Sequence, residues 1–88
     1  MYPFEEEKES ENIYIRIFSK DIDEYELKWH WDEQDRIIES LEKTDWEFQF
    51  DNELPISFDR EIFIPKGVIH RIIKGSNDLK LRVIKKNE

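Results

Sequence analysis

Short runs of branched and aromatic residues, separated by polar breaks, set the rhythm of this chain. Ile13-Tyr14-Ile15-Arg16-Ile17-Phe18 is nearly continuous in such residues and predicts a first strand. Ser19 to Glu24 is a polar break with room for one helical turn capped by Ser19 or Asp21. Glu26-Leu27-Lys28-Trp29-His30-Trp31 then alternates with period two, which predicts a strand with Leu27, Trp29 and Trp31 on one face and Lys28 and His30 on the other. After Asp32-Glu33-Gln34, the segment Arg36 to Leu41 reads as a strand, and its stretch to Lys43 also fits a short helix. Trp46-Glu47-Phe48-Gln49-Phe50 alternates with its three aromatics on one face. Ile56 and Phe58, Glu61 to Ile64, Val68 to Lys74 and Leu79 to Lys85 complete the series, with turns at Asp51 to Pro55, Pro65-Lys66-Gly67 and Gly75 to Asp78. Seven or eight short strands with turn signals between them predict an all-β sandwich or small barrel. Thirteen isoleucines, twelve aromatics and no alanine favour the same class.

Residues 1–12 are acidic and poor in apolar side chains, so a loose N-terminal arm is expected there, followed by one β-barrel domain over 13–88. Eighty-eight residues leave no room for a second core. With no cysteine, disulfides are excluded and a reducing compartment fits. No apolar run is long enough to span a bilayer and the amino terminus lacks signal-peptide character, so a soluble, cytoplasmic protein with no membrane partner is expected.

Fourteen basic against 22 acidic residues give a net charge of −8, which opposes phosphate neutralisation and argues against nucleic-acid binding. The charge is uneven, net −12 over Met1 to Glu53 and +4 over Leu54 to Glu88. The acidic half suggests an inhibitor or nucleic-acid mimic as the least supported function class, since acidity also serves solubility alone. No Walker loop, Ser/His/Asp order or Gly-rich dinucleotide turn is present, so phosphoryl transfer, triad hydrolysis and nicotinamide chemistry lack support.

The segment Ile64-Pro65-Lys66-Gly67-Val68-Ile69-His70 resembles the second motif of the cupin superfamily, Gly-x5-Pro-x-Gly-x2-His-x3-Asn, at Pro65, Gly67 and His70; Asp59 and Lys74 stand at its first and last positions. The first motif, His-x-His-x4-Glu-x6-Gly, is similar to Lys28-Trp29-His30 followed by Asp35 and Glu42, with His30 kept, Asp35 for glutamate, Lys28 for the first histidine and Glu42 for the glycine. The resemblance runs from Ile13 to Lys85. It implies a single-domain cupin-like β-barrel of two antiparallel sheets, a double-stranded β-helix of jelly-roll type. It also implies His30, Asp35 and His70 as metal ligands, and a homodimer with the strand Ile13 to Phe18 pairing across it.

The residue chemistry agrees with such a site. Two imidazoles and a carboxylate converging inside a barrel suit ferrous iron, with manganese, nickel, zinc or copper as other divalent occupants. His30 and His70 are the only histidines. Lys28 and Gln49 are candidates for the substrate pocket, Lys28 as an anion partner or a solvated strand lysine, Gln49 as a neighbour of the metal ligands or a surface amide. Three function classes follow: a metal-binding cupin, as a dioxygenase, isomerase or lyase acting on a small organic molecule; a metal-free binding or interaction module; and the acidic mimic. An epimerase-like acid–base pair of histidine and carboxylate needs no metal.

Overall fold

In the computed structural model, which describes residues 3–86, the chain is almost entirely antiparallel β. Strands β1 (Glu5–Ser10), β2 (Ile13–Phe18), β3 (Asp35–Ser40), β6 (Ile62–Ile64) and β8 (Leu79–Lys86) form a five-stranded sheet in the order β1-β2-β8-β3-β6. Strands β4 (Glu47–Phe50), β5 (Ile56–Ser57) and β7 (His70–Ile73) form a second sheet in the order β5-β4-β7. The two sheets face each other as the halves of a small barrel.

Period-two alternation decides what goes inside. On β8, Leu79, Leu81 and Val83 are buried, and their partners Phe18 on β2 and Ile38 on β3 are buried with them. The facing sheet contributes Trp46, just before β4, and Phe48, both fully buried, with Phe50 and Ile72 packed against the same core. The aromatic face expected from Trp46, Phe48 and Phe50 is thus the inner face of this sheet. The branched segment 36–41, which also fitted a helix, is strand β3.

Three local expectations change. The acidic arm is structured in part: Glu5–Ser10 form β1, with every side chain exposed, while the expectation for Met1 and Tyr2 falls outside the described residues. Backbone pairing with β2 holds this strand without apolar burial, helped by an Arg16 Nε to Glu6 bond of 2.6 Å and by Phe4 packing on Phe18. Consequently β2 lies between β1 and β8 and has no free edge to offer a second copy, unlike the expected pairing of Ile13 to Phe18 across a dimer. The predicted strand 26–31 is reduced to one bridge at His30, after a 3-10 turn at Glu24–Glu26 capped by Asp23, whose carboxylate accepts from Tyr25 N. Trp29 and Trp31 stay exposed, because no further strand covers that side.

Gly67 adopts φ 79° in the turn before β7, a region that only glycine enters without strain. Gly67→Val should therefore lower stability by about 1–3 kcal/mol. Lys66→Ala should be nearly silent, since the exposed Lys66 takes part through its backbone N–H. Equal urea midpoints for the two variants would contradict this reading of the turn.

Candidate metal centre

His30 and His70 are directly paired across the isolated bridge, with N–H to O distances of 3.0 and 2.9 Å in the two directions. Direct antiparallel partners project to the same face of a sheet, and here the two rings stand 4.3 Å apart, centroid to centroid. Asp32 reaches the same place. Lys28, His30 and Asp32 follow one another at every second position and all line the cavity between the sheets, while Trp29 and Trp31 between them point out. One donor atom from each of His30, Asp32 and His70 lies within 4.8 Å of the others.

Each histidine is oriented by a carbonyl two residues back in the chain. His30 Nδ1 stands 3.1 Å from Lys28 O, and His70 Nδ1 stands 2.8 Å from Val68 O. A carbonyl only accepts, so the hydrogen sits on Nδ1 in both rings and Nε2 of each neutral ring carries a lone pair. Burial pushes the His70 imidazole below its ordinary pKa; the bond to Val68 opposes this, the neighbouring His30 adds to it, and Asp32 pulls the other way. A neutral His70 therefore turns an Nε2 lone pair toward Asp32 Oδ2, 3.4 Å away. That oxygen is buried and has no hydrogen-bond donor among the described residues.

A cation among the ring nitrogens of His30 and His70 and the unpartnered Asp32 Oδ2 would supply that oxygen with a partner. Donors around an ion with bonds of about 2.0–2.2 Å stand about 3–4 Å apart, and the 3.4 Å between His70 Nε2 and Asp32 Oδ2 falls in that range. The donor set thus fits a divalent metal. On the other side, Arg36 Nη1 lies 3.2 Å from Asp32 Oδ1 and fixes the carboxylate's orientation. The Phe48 ring stacks on His70 at 5.5 Å and closes the apolar side.

The structure brings Asp32 to the histidines, not Asp35. Asp35 opens β3 and its Oδ1 accepts the Lys66 N–H at 2.7 Å, while Gly67 N–H donates to Asp32 O at 2.9 Å. The Pro65-Lys66-Gly67 turn is thereby tied to the loop that carries Asp32, and Asp35 lies outside the cluster. The motif spacing that pointed to Asp35 passed over a nearer signal, the alternation from Lys28 through His30 to Asp32. Lys28 lines the cavity and is itself exposed. Gln49 does not: it lies on the outer face of its sheet, donating to Glu53 O at 2.9 Å and accepting from Arg71 Nε at 2.9 Å.

The cavity holds about 280 Å³ and is walled by both sheets, with Ile38, Ile64, Ile72, Leu81 and Val83 as its apolar lining. Among the described residues, no helix is long and apolar enough to cross a membrane.

No family model matches the sequence. No curated protein matches it significantly. Solved structures do match in fold. A structure of DMSP lyases superposes with a TM-score of 0.68 at 13% identity over 85% of this chain, which spans only 37% of that larger one. A cupin-2 domain protein from Shewanella frigidimarina gives 0.62 at 17% identity, covering 96% of this chain and 79% of that one. A cupin domain from Bordetella pertussis gives 0.63 at 12% identity, covering 97% and 92%. Two antiparallel sheets closing on a cavity, the Pro-x-Gly turn leading into His70, and these neighbours give one conclusion: the chain has the cupin fold.

Proposed function

We propose that the protein is a small metal-binding cupin in which His30, Asp32 and His70 hold a divalent transition metal at the wall of a pocket for a small organic molecule. The observation that carries this reading is the buried Asp32 Oδ2, without a hydrogen-bond partner among the described residues, 3.4 Å from His70 Nε2 and clustered with His30, each ring oriented by a backbone carbonyl. Three protein ligands leave coordination positions open, and iron, manganese, nickel, zinc and copper are all compatible with the donor set. A metal bound there supplies Lewis-acid polarisation of a ligand oxygen. The chain's own contribution is the orientation of the three donors by Lys28 O, Val68 O and Arg36, and the apolar side that Phe48 closes against His70. Dioxygenase, isomerase and lyase chemistries are all open to such a centre, and the DMSP lyase neighbour is a precedent for the last through fold alone.

Untagged protein purified without added metal should contain about one transition-metal ion per chain, and His70→Ala should contain none. Metal that binds only the folded state stabilises it by about 2.7 kcal/mol at a hundredfold excess over Kd. A chelator should therefore lower the melting temperature by roughly 10–20 °C for a domain of this size. Identical melting curves with and without EDTA, for protein shown to be loaded, would overturn the proposal.

A metal-free binding module is the alternative, and one contact favours it: Arg36 already gives Asp32 a cationic partner at 3.2 Å. Metal-free protein that gains no stability from added ions would establish it. The homodimer rests on the outer face of the five-stranded sheet. There Ile13, Ile84, Ile37 and Phe63 stand opposite one another in a row across β2, β8, β3 and β6, with Phe63 half exposed. Light scattering should give twice the chain mass for wild type and the chain mass for Phe63→Glu. A monomeric wild type would refute it.

A further inference from the structure

The alternation that sends Phe18, Ile38, Leu81 and Val83 into the core also sends three cations inward on the same strands. Arg16 is two residues before Phe18 on β2, Arg36 two before Ile38 on β3, and Lys85 two after Val83 on β8, with Arg36 and Lys85 directly opposite each other in the register. Inward cations are costly in a domain with so small a core, and apolar residues would suit these positions better for stability alone. Each is compensated in part. Arg16 bonds Glu6 and lies over the Phe4 ring at 4.3 Å; Lys85 Nζ lies over the Tyr14 ring at 4.2 Å; Arg36 meets Asp32 and donates to Gln34 at 3.2 Å. Compensation is incomplete at Arg36, whose Nε–H is buried without an acceptor. Burial first, and then the positive charges of Arg36 and Arg16, hold the Lys85 ammonium below its usual pKa, as expected of crowded cations.

Arg16, Lys28 and Arg36 line the cavity, against only Glu26 and Asp32 among its carboxylates, in a chain whose net charge is −8. Cations set between such low-dielectric walls attract anions. Two of these three cations are guanidinium groups, whose planar fork of N–H donors matches a carboxylate. The remaining wall is hydrocarbon.

We propose that the cavity binds a small organic monocarboxylate, its carboxylate held by Arg36 and Arg16 and its apolar chain lying along Phe48, Ile64 and Ile72 toward His30, Asp32 and His70. Placing the far end of the ligand at these three residues rests on the metal reading; the carboxylate contact does not.

Calorimetric titration of the full chain with sodium butyrate, its neutral isostere butyramide and inorganic phosphate, in zinc-loaded and EDTA-stripped forms, tests this. Butyrate should bind at least about tenfold more tightly than butyramide in both forms. Arg36→Gln and Arg16→Gln should each weaken butyrate at least about tenfold, while the exposed Lys80→Gln leaves it unchanged; circular dichroism confirms the fold of each variant. Arg16→Gln carries the test if Arg36→Gln does not fold. Butyrate binding to stripped protein supports the carboxylate site whatever zinc does, so failure of the metal reading is seen separately. Equal binding of butyrate and butyramide, tighter binding of phosphate than of butyrate, or folded arginine variants with wild-type affinity would overturn it.

Discussion

Zinc titrated into metal-stripped Asp32→Asn should bind at least about 100-fold more weakly than to wild type, whereas Asp35→Asn should stay within about tenfold. The two residues are three apart in sequence but differ in what their oxygens meet. Asp32 presents a buried oxygen with no donor to two imidazole nitrogens, and a neutral amide there removes the charge that draws a cation in. Asp35 spends its oxygen on the Lys66 N–H, which an asparagine carbonyl still accepts. Partners outside the ligand set typically alter metal affinity by about 10–100-fold when lost, and here the contact is weakened rather than lost. Calorimetry on the two variants, with Glu33→Gln as a surface control, separates them. Loss of affinity in Asp35→Asn with retention in Asp32→Asn would place the carboxylate ligand at Asp35 after all.

A second large effect is expected at Gly75, in the turn between β7 and β8. A Cβ there would meet the Asp45 carboxylate, lie 2.5 Å from Trp46 Cδ1 and lie 2.7 Å from the Trp46 backbone nitrogen. The two Trp46 atoms have no room to retreat, and the exposed Asp45 carboxylate could move only by leaving Ser76. Trp46 is fully buried, and the Asp45 carboxylate is held by the Ser76 N–H at 2.9 Å and the Ser76 hydroxyl at 2.6 Å. Gly75→Ala should cost about 3 kcal/mol, the upper end of overpacking penalties. Gly67→Ala, with nothing within 4 Å of its Cβ, should cost about 1–2 kcal/mol from its positive φ alone. Urea midpoints that fall in the reverse order would contradict the packing described for this turn.

The strands legible in the sequence are those whose alternation is also their burial. Trp46, Phe48 and Phe50, or Leu79, Leu81 and Val83, announce an inner face because burial and period coincide. β1 was hidden because its side chains are all exposed and acidic, and backbone pairing with β2 leaves no hydrophobic trace. The segment 26–31 misled in the opposite sense. Its period sorts Lys28 and His30 from Trp29 and Trp31 but fails at Leu27, which lines the cavity beside Lys28; a strand needs a partner along its length, and among the described residues one is present only at His70. The same segment explains the carboxylate. Motif spacing counts residues and assumes a loop of fixed path, whereas the side of an extended chain on which a residue falls is set by parity, and parity with His30 selects Asp32. Arg16 is not legible as a site residue because an arginine in a strand ordinarily faces water, and only the register shows it turned inward on the same face as Phe18.

X-ray absorption at the zinc edge of zinc-loaded, untagged protein tests the central claim most directly, because it counts the ligands. Two imidazole nitrogens at about 2.0–2.1 Å and one carboxylate oxygen at about 2.0–2.2 Å are predicted, with light scatterers filling the remaining positions. A shell containing only oxygen, or a single imidazole, would show that His30, Asp32 and His70 do not hold the metal together.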